Sequence, residues 1–199
     1  MSASTRLPGP LRRREFIAAL LERRGNLLLV TGLGSPTWDC AAAGDHALTF
    51  PLWGAMGSAC MVGLGLALAQ PSRRVLVVTG DGDMLMGMGS LATIGALRPD
   101  NLAIVVLDNE RYGETGMQKS HTAHGIDLAA VAAACGFAHA GVIETSSEIP
   151  GGRVDIHRRP GPLLYQVKVK AESLPLVLPP RDGAWLKHRF RQALAALLV

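Results

Sequence analysis

Two clusters of oxygen-bearing side chains, each at the end of an apolar run, carry the chemistry available to this sequence. Val75–Thr79 runs into Gly80-Asp81-Gly82, and Leu102–Leu107 runs into Asp108-Asn109. The Asp81 carboxylate and the Asn109 amide offer hard oxygen atoms, which suit Mg²⁺ or Ca²⁺ better than zinc or copper. The flanking glycines let backbone N–H groups approach an anion such as a diphosphate at a helix N-terminus. Metal plus anionic cofactor is the natural reading of the combination, although Gly80-Asp81-Gly82 by itself is equally a strand-to-helix turn capped by Asp81.

The elements that would bring the clusters together are legible. Both apolar runs are short, rich in β-branched residues and bounded by turn residues, as buried parallel strands are. The residues between Gly82 and Asn109 suffice for a helix and the next strand of a right-handed crossover. Both clusters then fall at the carboxyl edge of one sheet, where open α/β folds bind ligands. The expected fold class is α/β, a three-layer open parallel sheet with helices on both faces.

Around this centre the chain reads as further strands and helices. Apolar residues at helical spacing over Leu11–Arg24, with basic residues on the other face, predict a helix that Gly25-Asn26 ends. Leu27–Thr31 reads as a strand. Gly32-Leu33-Gly34 lacks the third glycine of a dinucleotide fingerprint and reads as a turn into a short helix near Pro36–Ala43, bordering the site. A small-residue helix is expected over Ser58–Ala69, and a helix over Asp127–Cys135 with Asp127 as its cap and Gly136 as its stop. Phe137–Ile143 and Leu163–Val169 read as strands. Between them Pro150-Gly151-Gly152 is expected to break any helix over Ser146–His157. Asp182–Leu198 reads as an amphipathic helix, with Trp185, Phe190, Leu194 and Leu197 available for packing or for a partner.

Composition narrows the class. The chain has 199 residues, with 48% hydrophobic and 18% charged, which fits a globular protein rather than a disordered one. The length predicts a flexible tail over residues 1–10 and a single domain over residues 11–199. The net charge of +4 gathers in Arg12-Arg13-Arg14, Arg23-Arg24 and the Arg181–Arg191 region, without the interleaved aromatic residues that nucleic-acid binding uses. These arginines are expected on solvated helix faces or subunit contacts. Cys40, Cys60 and Cys135 show no metal spacing and read as buried small hydrophobes. No leader is visible, and the longest apolar stretch, Ala55–Ala69, falls short of a membrane span, so a soluble cytoplasmic protein is expected.

The pair of motifs, with its spacing, resembles the GDG…N signature of thiamine diphosphate enzymes. The resemblance implies Asp81 and Asn109 as side-chain ligands of Mg²⁺, with the main-chain carbonyl of Arg111 as a third. It implies Gly80, Gly82, Asp83, Tyr112 and Gly113 around the diphosphate. The upstream stretch Gly54-Ala55-Met56-Gly57 looks like the family segment at the other end of the cofactor, with the Gly54 carbonyl accepting from its amine and Met56 wedged beneath it; by itself, Met56 reads equally well as core.

Members of this family need a glutamate from a neighbouring pyrimidine-binding domain, for which this sequence has no room. The resemblance therefore implies a hetero-oligomer with a separate α subunit. Over Asp108–Gly116, with Gln118 and His121, the sequence is most similar to the β subunits of sulfopyruvate decarboxylases and the matching half of phosphonopyruvate decarboxylases. Decarboxylation of a small anionic 2-oxo acid to an aldehyde is implied, with Gln118 and His121 as substrate-contacting candidates on a glycine-rich loop and His124 as a weaker one. A carboligase, a 2-oxoacid oxidoreductase subunit and a non-catalytic cofactor-binding subunit would carry the same motif.

Overall fold

The computed structural model describes residues 10–196; the expected N-terminal tail and Leu197 lie outside the described residues, apart from Pro10. In chain order the elements are α1 (Arg13–Leu21), β1 (Leu28–Thr31), α2 (Ser35–Ala42), β2 (Thr49–Pro51), α3 (Ala59–Ala69), β3 (Val75–Gly80), α4 (Asp81–Met86), α5 (Ser90–Leu97) and β4 (Leu102–Asp108). There follow β5 (Arg111–Tyr112), β6 (Gln118–Lys119), α6 (Leu128–Ala134), β7 (His139–Ile143), α7 (Ile149–Arg158), β8 (Leu163–Lys168) and α8 (Gly183–Ala196).

Six strands form one sheet in the order β2-β1-β3-β4-β8-β7, all neighbours parallel. The central strands are apolar almost throughout because both faces are covered. Alternate residues divide cleanly between two cores. Val75, Val77, Ile104 and Val106 pack under α3, α5 and α6. Leu76, Val78, Ala103 and Val105 pack under α1 and α7 on the opposite face. This is the expected three-layer α/β fold. The chain leaves β1 for β2 on one side and returns to β3 on the other, so the switch point lies at the carboxyl ends of β1 and β3.

Small residues set the close approaches. A side chain at Gly63 of α3 would overlap Val77, so the helix lies tight on the sheet there. The cysteines behave as small hydrophobes: Cys40 and Cys60 are buried and Cys135 is half-buried. Burial, with Asp83 nearby, pushes the Cys60 thiol up to about 12. Asp127 caps α6 by accepting from the Ala130 N–H at 2.9 Å, and Phe190 of α8 packs on Phe50.

Three expectations are corrected. The segment containing Pro150-Gly151-Gly152 is helical, as α7. Pro150 falls in the first turn, where its missing N–H has no intrahelical partner to lose, and Gly152 lies where a side chain would overlap Ile143. The arginine runs are not all solvated: Arg13 is buried and its Nε donates to the buried Asp39 at 2.7 Å, while Arg24 donates to Thr49 Oγ1 at 2.7 Å. The glycine-rich stretch after Asn109 is a small antiparallel hairpin, β5 paired with β6, rather than an open loop. Among the described residues no helix is long and apolar enough to cross a membrane.

Candidate functional site

At the carboxyl end of β3 the chain passes directly into α4, so Asp81 opens the helix with its side chain buried. Ser120 Oγ donates to Asp81 Oδ2 at 2.5 Å, and Thr122 Oγ1 donates to Asp108 Oδ1 at 2.7 Å. Burial raises the Asp81 pKa, and Asp108 raises it further; the Ser120 bond opposes both, and the result is about 6. Among the described residues no cationic side chain is within ion-pair distance of Asp81. A buried carboxylate without a cation is the environment that a bound divalent ion would complete.

One strand over, β4 ends at Asp108 and delivers Asn109. Asn109 Oδ1 accepts the Arg111 N–H at 2.9 Å, which closes a tight turn through Glu110 at φ 61. An amide oxygen has a second lone pair, so this bond leaves Asn109 able to ligate. Gly82 is a required glycine: a Cβ there would lie 2.6 Å from the Tyr112 ring, which covers the turn.

The upstream Gly54–Gly57 segment is tied to this centre by Asp83. Its Oδ1 accepts the Gly57 N–H at 2.5 Å and its Oδ2 accepts from Thr79 Oγ1 at 2.5 Å. Gly57, at φ 85, packs against Gly87, where a side chain would overlap the Gly57 carbonyl. Ala55 holds φ 59, an uncommon conformation for a residue with a Cβ. Gly32, after β1, also has no room for a side chain, because Asp83 and Thr79 occupy that space.

These pieces enclose a cleft of about 280 Å³. Met56, Gly80, Asp81, Gly82, Asp83, Asn109, Arg111, Tyr112 and Gly113 all line it, so the residues expected at the two ends of one cofactor share one cleft. Leu33, Ser35 and Pro36 border it, as expected of the turn into α2. Gly54 is exposed and does not line it. Gln118 bonds Thr115 through both its amide atoms, and His121 lies on the surface with Nδ1 3.5 Å from the Tyr112 hydroxyl; neither lines the cleft. His124 is also exposed.

Sequence reasoning passed over Arg13, Met86 and Thr115 in the lining, and Ser120, Thr122, Gln166 and Lys168 behind it. Gln166 Nε2 and Lys168 Nζ donate to Asp108 Oδ2 at 2.6 and 2.7 Å. Burial lowers the Lys168 pKa, but its bonds to Asp108 and Glu110 outweigh that and raise it. No group of three or more His, Cys, Asp or Glu side chains that could hold a metal occurs among the described residues. A metal here would instead take one carboxylate, one amide oxygen and one carbonyl, an all-oxygen set of the kind Mg²⁺ accepts together with cofactor oxygens. By that donor chemistry, and by the uncompensated Asp81, the residues fit Mg²⁺ and a diphosphate.

A carboxyl-edge cleft at a switch point, lined by two aspartates, an asparagine and glycine turns, defines an α/β cofactor-binding domain. Residues 34–166 match the family model for the thiamine pyrophosphate enzyme C-terminal TPP-binding domain, and the chain belongs to that family. It is 33% identical over 187 residues to the sulfopyruvate decarboxylase subunit beta of Methanococcus maripaludis, an alignment covering 92% of this chain and 98% of that one. It is 38% identical over 178 residues to the phosphonopyruvate decarboxylase of Streptomyces viridochromogenes, covering 89% of this chain and 44% of that protein. With the beta subunit of Methanocaldococcus jannaschii it shares 39% identity, over 66% of that subunit. The benzoylformate decarboxylase structure from Polynucleobacter necessarius superimposes with a TM-score of 0.73 at 22% identity, covering 88% of this chain and 36% of that one, a likeness of fold.

Proposed function

We propose that the chain is the β subunit of a thiamine diphosphate- and Mg²⁺-dependent decarboxylase acting on a small anionic 2-oxo acid of the sulfopyruvate or phosphonopyruvate kind. A separate α subunit supplies the pyrimidine-binding domain and the activating glutamate. The observation that carries this reading is the buried, uncompensated Asp81 sharing one cleft with Asn109 and Met56. The beta-subunit relatives support the division of labour. The three cysteines are free, as a reducing cytoplasm keeps them.

Asp81, Asn109 and the Arg111 carbonyl hold the metal. Gly80, Gly82, Asp83, Tyr112 and Gly113 surround the diphosphate, where the glycines leave backbone N–H groups approachable. The Gly54 carbonyl and Met56 orient the far end of the cofactor. From the β5–β6 side, outside the cleft, Gln118 and His121 would reach only a substrate that extends beyond it. Thiamine diphosphate, when bound, supplies the electron sink that lets a 2-oxo acid release CO₂. The chain's own contribution is to fix that group and shield it from water.

The test is a decarboxylase assay on the complex purified with its partner subunit. Aldehyde and CO₂ are expected from sulfopyruvate or phosphonopyruvate only with both chains, Mg²⁺ and thiamine diphosphate present. A partner that is equally active without this chain overturns the reading.

A further inference from the structure

Asn109 is flanked by two carboxylates, and one cation from a distant strand holds both. Lys168 ends β8, in register with Asp108 at the end of β4. Its Nζ donates to Asp108 Oδ2 at 2.7 Å and to Glu110 Oε1 at 3.0 Å. Between those anchors the backbone turns through Glu110 at φ 61, which is costly for a residue with a side chain and persists only when its surroundings impose it. The Glu110 N–H donates to Asp108 Oδ1 at 3.0 Å and the Glu110 carbonyl accepts from the Ser120 N–H at 3.0 Å, so the same turn sets where Ser120 stands. Ser120 in turn bonds Asp81.

We infer that Lys168 is a positioning residue for the metal site, clipping Asp108 to Glu110 so that Asn109 and the Arg111 carbonyl are presented beside Asp81. The inference rests on the cofactor reading above. Two physical consequences follow from the clip. It answers the charge of Asp108, so that of the two neighbouring buried carboxylates only Asp81 is left to attract a cation. It also holds the Glu110 turn against relaxation to negative φ, which would swing Asn109 away. A lysine that merely tied β8 to β4 would affect stability and leave metal affinity alone.

The test measures Mg²⁺ binding by calorimetry on the full chain in complex with its partner subunit, in saturating thiamine diphosphate. Lys168→Met keeps much of the aliphatic stem and removes the charge; it is expected to weaken Mg²⁺ binding by roughly 10- to 100-fold, the usual range for a group supporting a metal ligand. Lys168→Arg is expected to restore affinity to within about threefold, because a guanidinium can span both carboxylates. Glu110→Gln opens only the half-exposed end of the clip and is expected to weaken binding by roughly three- to tenfold; it carries the test if Lys168→Met does not fold. Unchanged affinity in folded Lys168→Met, or in Glu110→Gln where Lys168→Met fails to fold, overturns the inference. So does Lys168→Arg binding as weakly as Lys168→Met. If the unsubstituted chain binds the pair and Asp81→Ala abolishes it while Lys168→Met does not, the cofactor reading stands and the inference alone fails. No Mg²⁺-dependent binding by the unsubstituted chain in complex with its partner subunit overturns both.

Discussion

Asp39 and Asp81 are both buried carboxylates near the carboxyl edge of the sheet, one in α2 and one opening α4, and they differ in what answers their charge. Asp39 is gripped from both sides: Arg13 Nε lies 2.7 Å from Oδ2 and Arg14 Nε lies 3.0 Å from Oδ1. Asp81 has one close hydroxyl donor, Ser120, and among the described residues no cation. A buried charge that is paired locks the elements around it, whereas a buried charge left unpaired favours protonation or a bound cation. One aspartate is therefore a fastening, whereas the other is, on the proposed reading, the group that binds a metal, and the difference can be measured.

The largest expected effect is at the fastening. Asp39→Ala leaves two guanidinium groups without their shared carboxylate, one of them buried, and is expected to destabilise the chain by about 3–5 kcal/mol in urea or thermal unfolding at neutral pH. The loss should be the same with and without Mg²⁺ and thiamine diphosphate. At Asp81 the opposite holds. Ligands at 100 times their dissociation constant are expected to stabilise the unsubstituted chain by about 2.7 kcal/mol, an increment that chelation by EDTA removes.

Asp81→Asn sharpens the contrast because it should strengthen the unliganded fold. With its pKa raised from 3.8 to about 6, Asp81 binds its proton more tightly when folded than when unfolded. Stability from this group is therefore lost as pH rises from about 4 to about 6. Removing the charge is expected to recover on the order of 1–3 kcal/mol at pH 7 to 8 and nothing near pH 3, where the carboxyl is neutral in both states. The same variant should show no stabilisation by Mg²⁺ with thiamine diphosphate. A variant that is less stable at pH 8 and still gains from the ligands would place the site elsewhere.

The two aspartates also differ in how far the sequence revealed them. Asp81 was legible because its signal is local: a strand ending in Gly-Asp-Gly, and a second strand at crossover distance ending in Asn109. Met56 needed a longer pattern but stayed within a continuous segment. Asp39 gave no such signal, and the run Arg12-Arg13-Arg14 suggested a wet face. Helical spacing nonetheless puts Arg13 on the face of Phe16, Ile17 and Leu20, all buried, so the period itself marked it as an inward arginine in need of a partner. The Lys168–Asp108 pair was out of reach, since the sheet order that makes β4 and β8 neighbours arises only after β7 has been placed at the edge. The helix through Pro150 and Gly152 defies their usual breaker character because one falls in the first turn and the other where Ile143 excludes a side chain.

The smallest expected effect separates the two arginines of the fastening. The Arg13 side chain is 5% exposed and that of Arg14 is 28% exposed, while the carboxylate between them is fully buried. Arg13 also donates to the Glu172 carbonyl, and Arg14 donates to the Pro175 carbonyl at 3.0 Å, so each arginine ties the segment after β8 back to α1. Arg14→Met leaves Asp39 with its buried partner and a neutral pair, and water can reach the oxygen that is released. The expected cost is about 1 kcal/mol or less. Arg13→Met removes the partner that water cannot replace and should cost at least twice as much by the same denaturation measurement. Equal costs would mean that solvent reaches both sides of Asp39 alike, and the contrast with Asp81 would then rest on charge count rather than on burial.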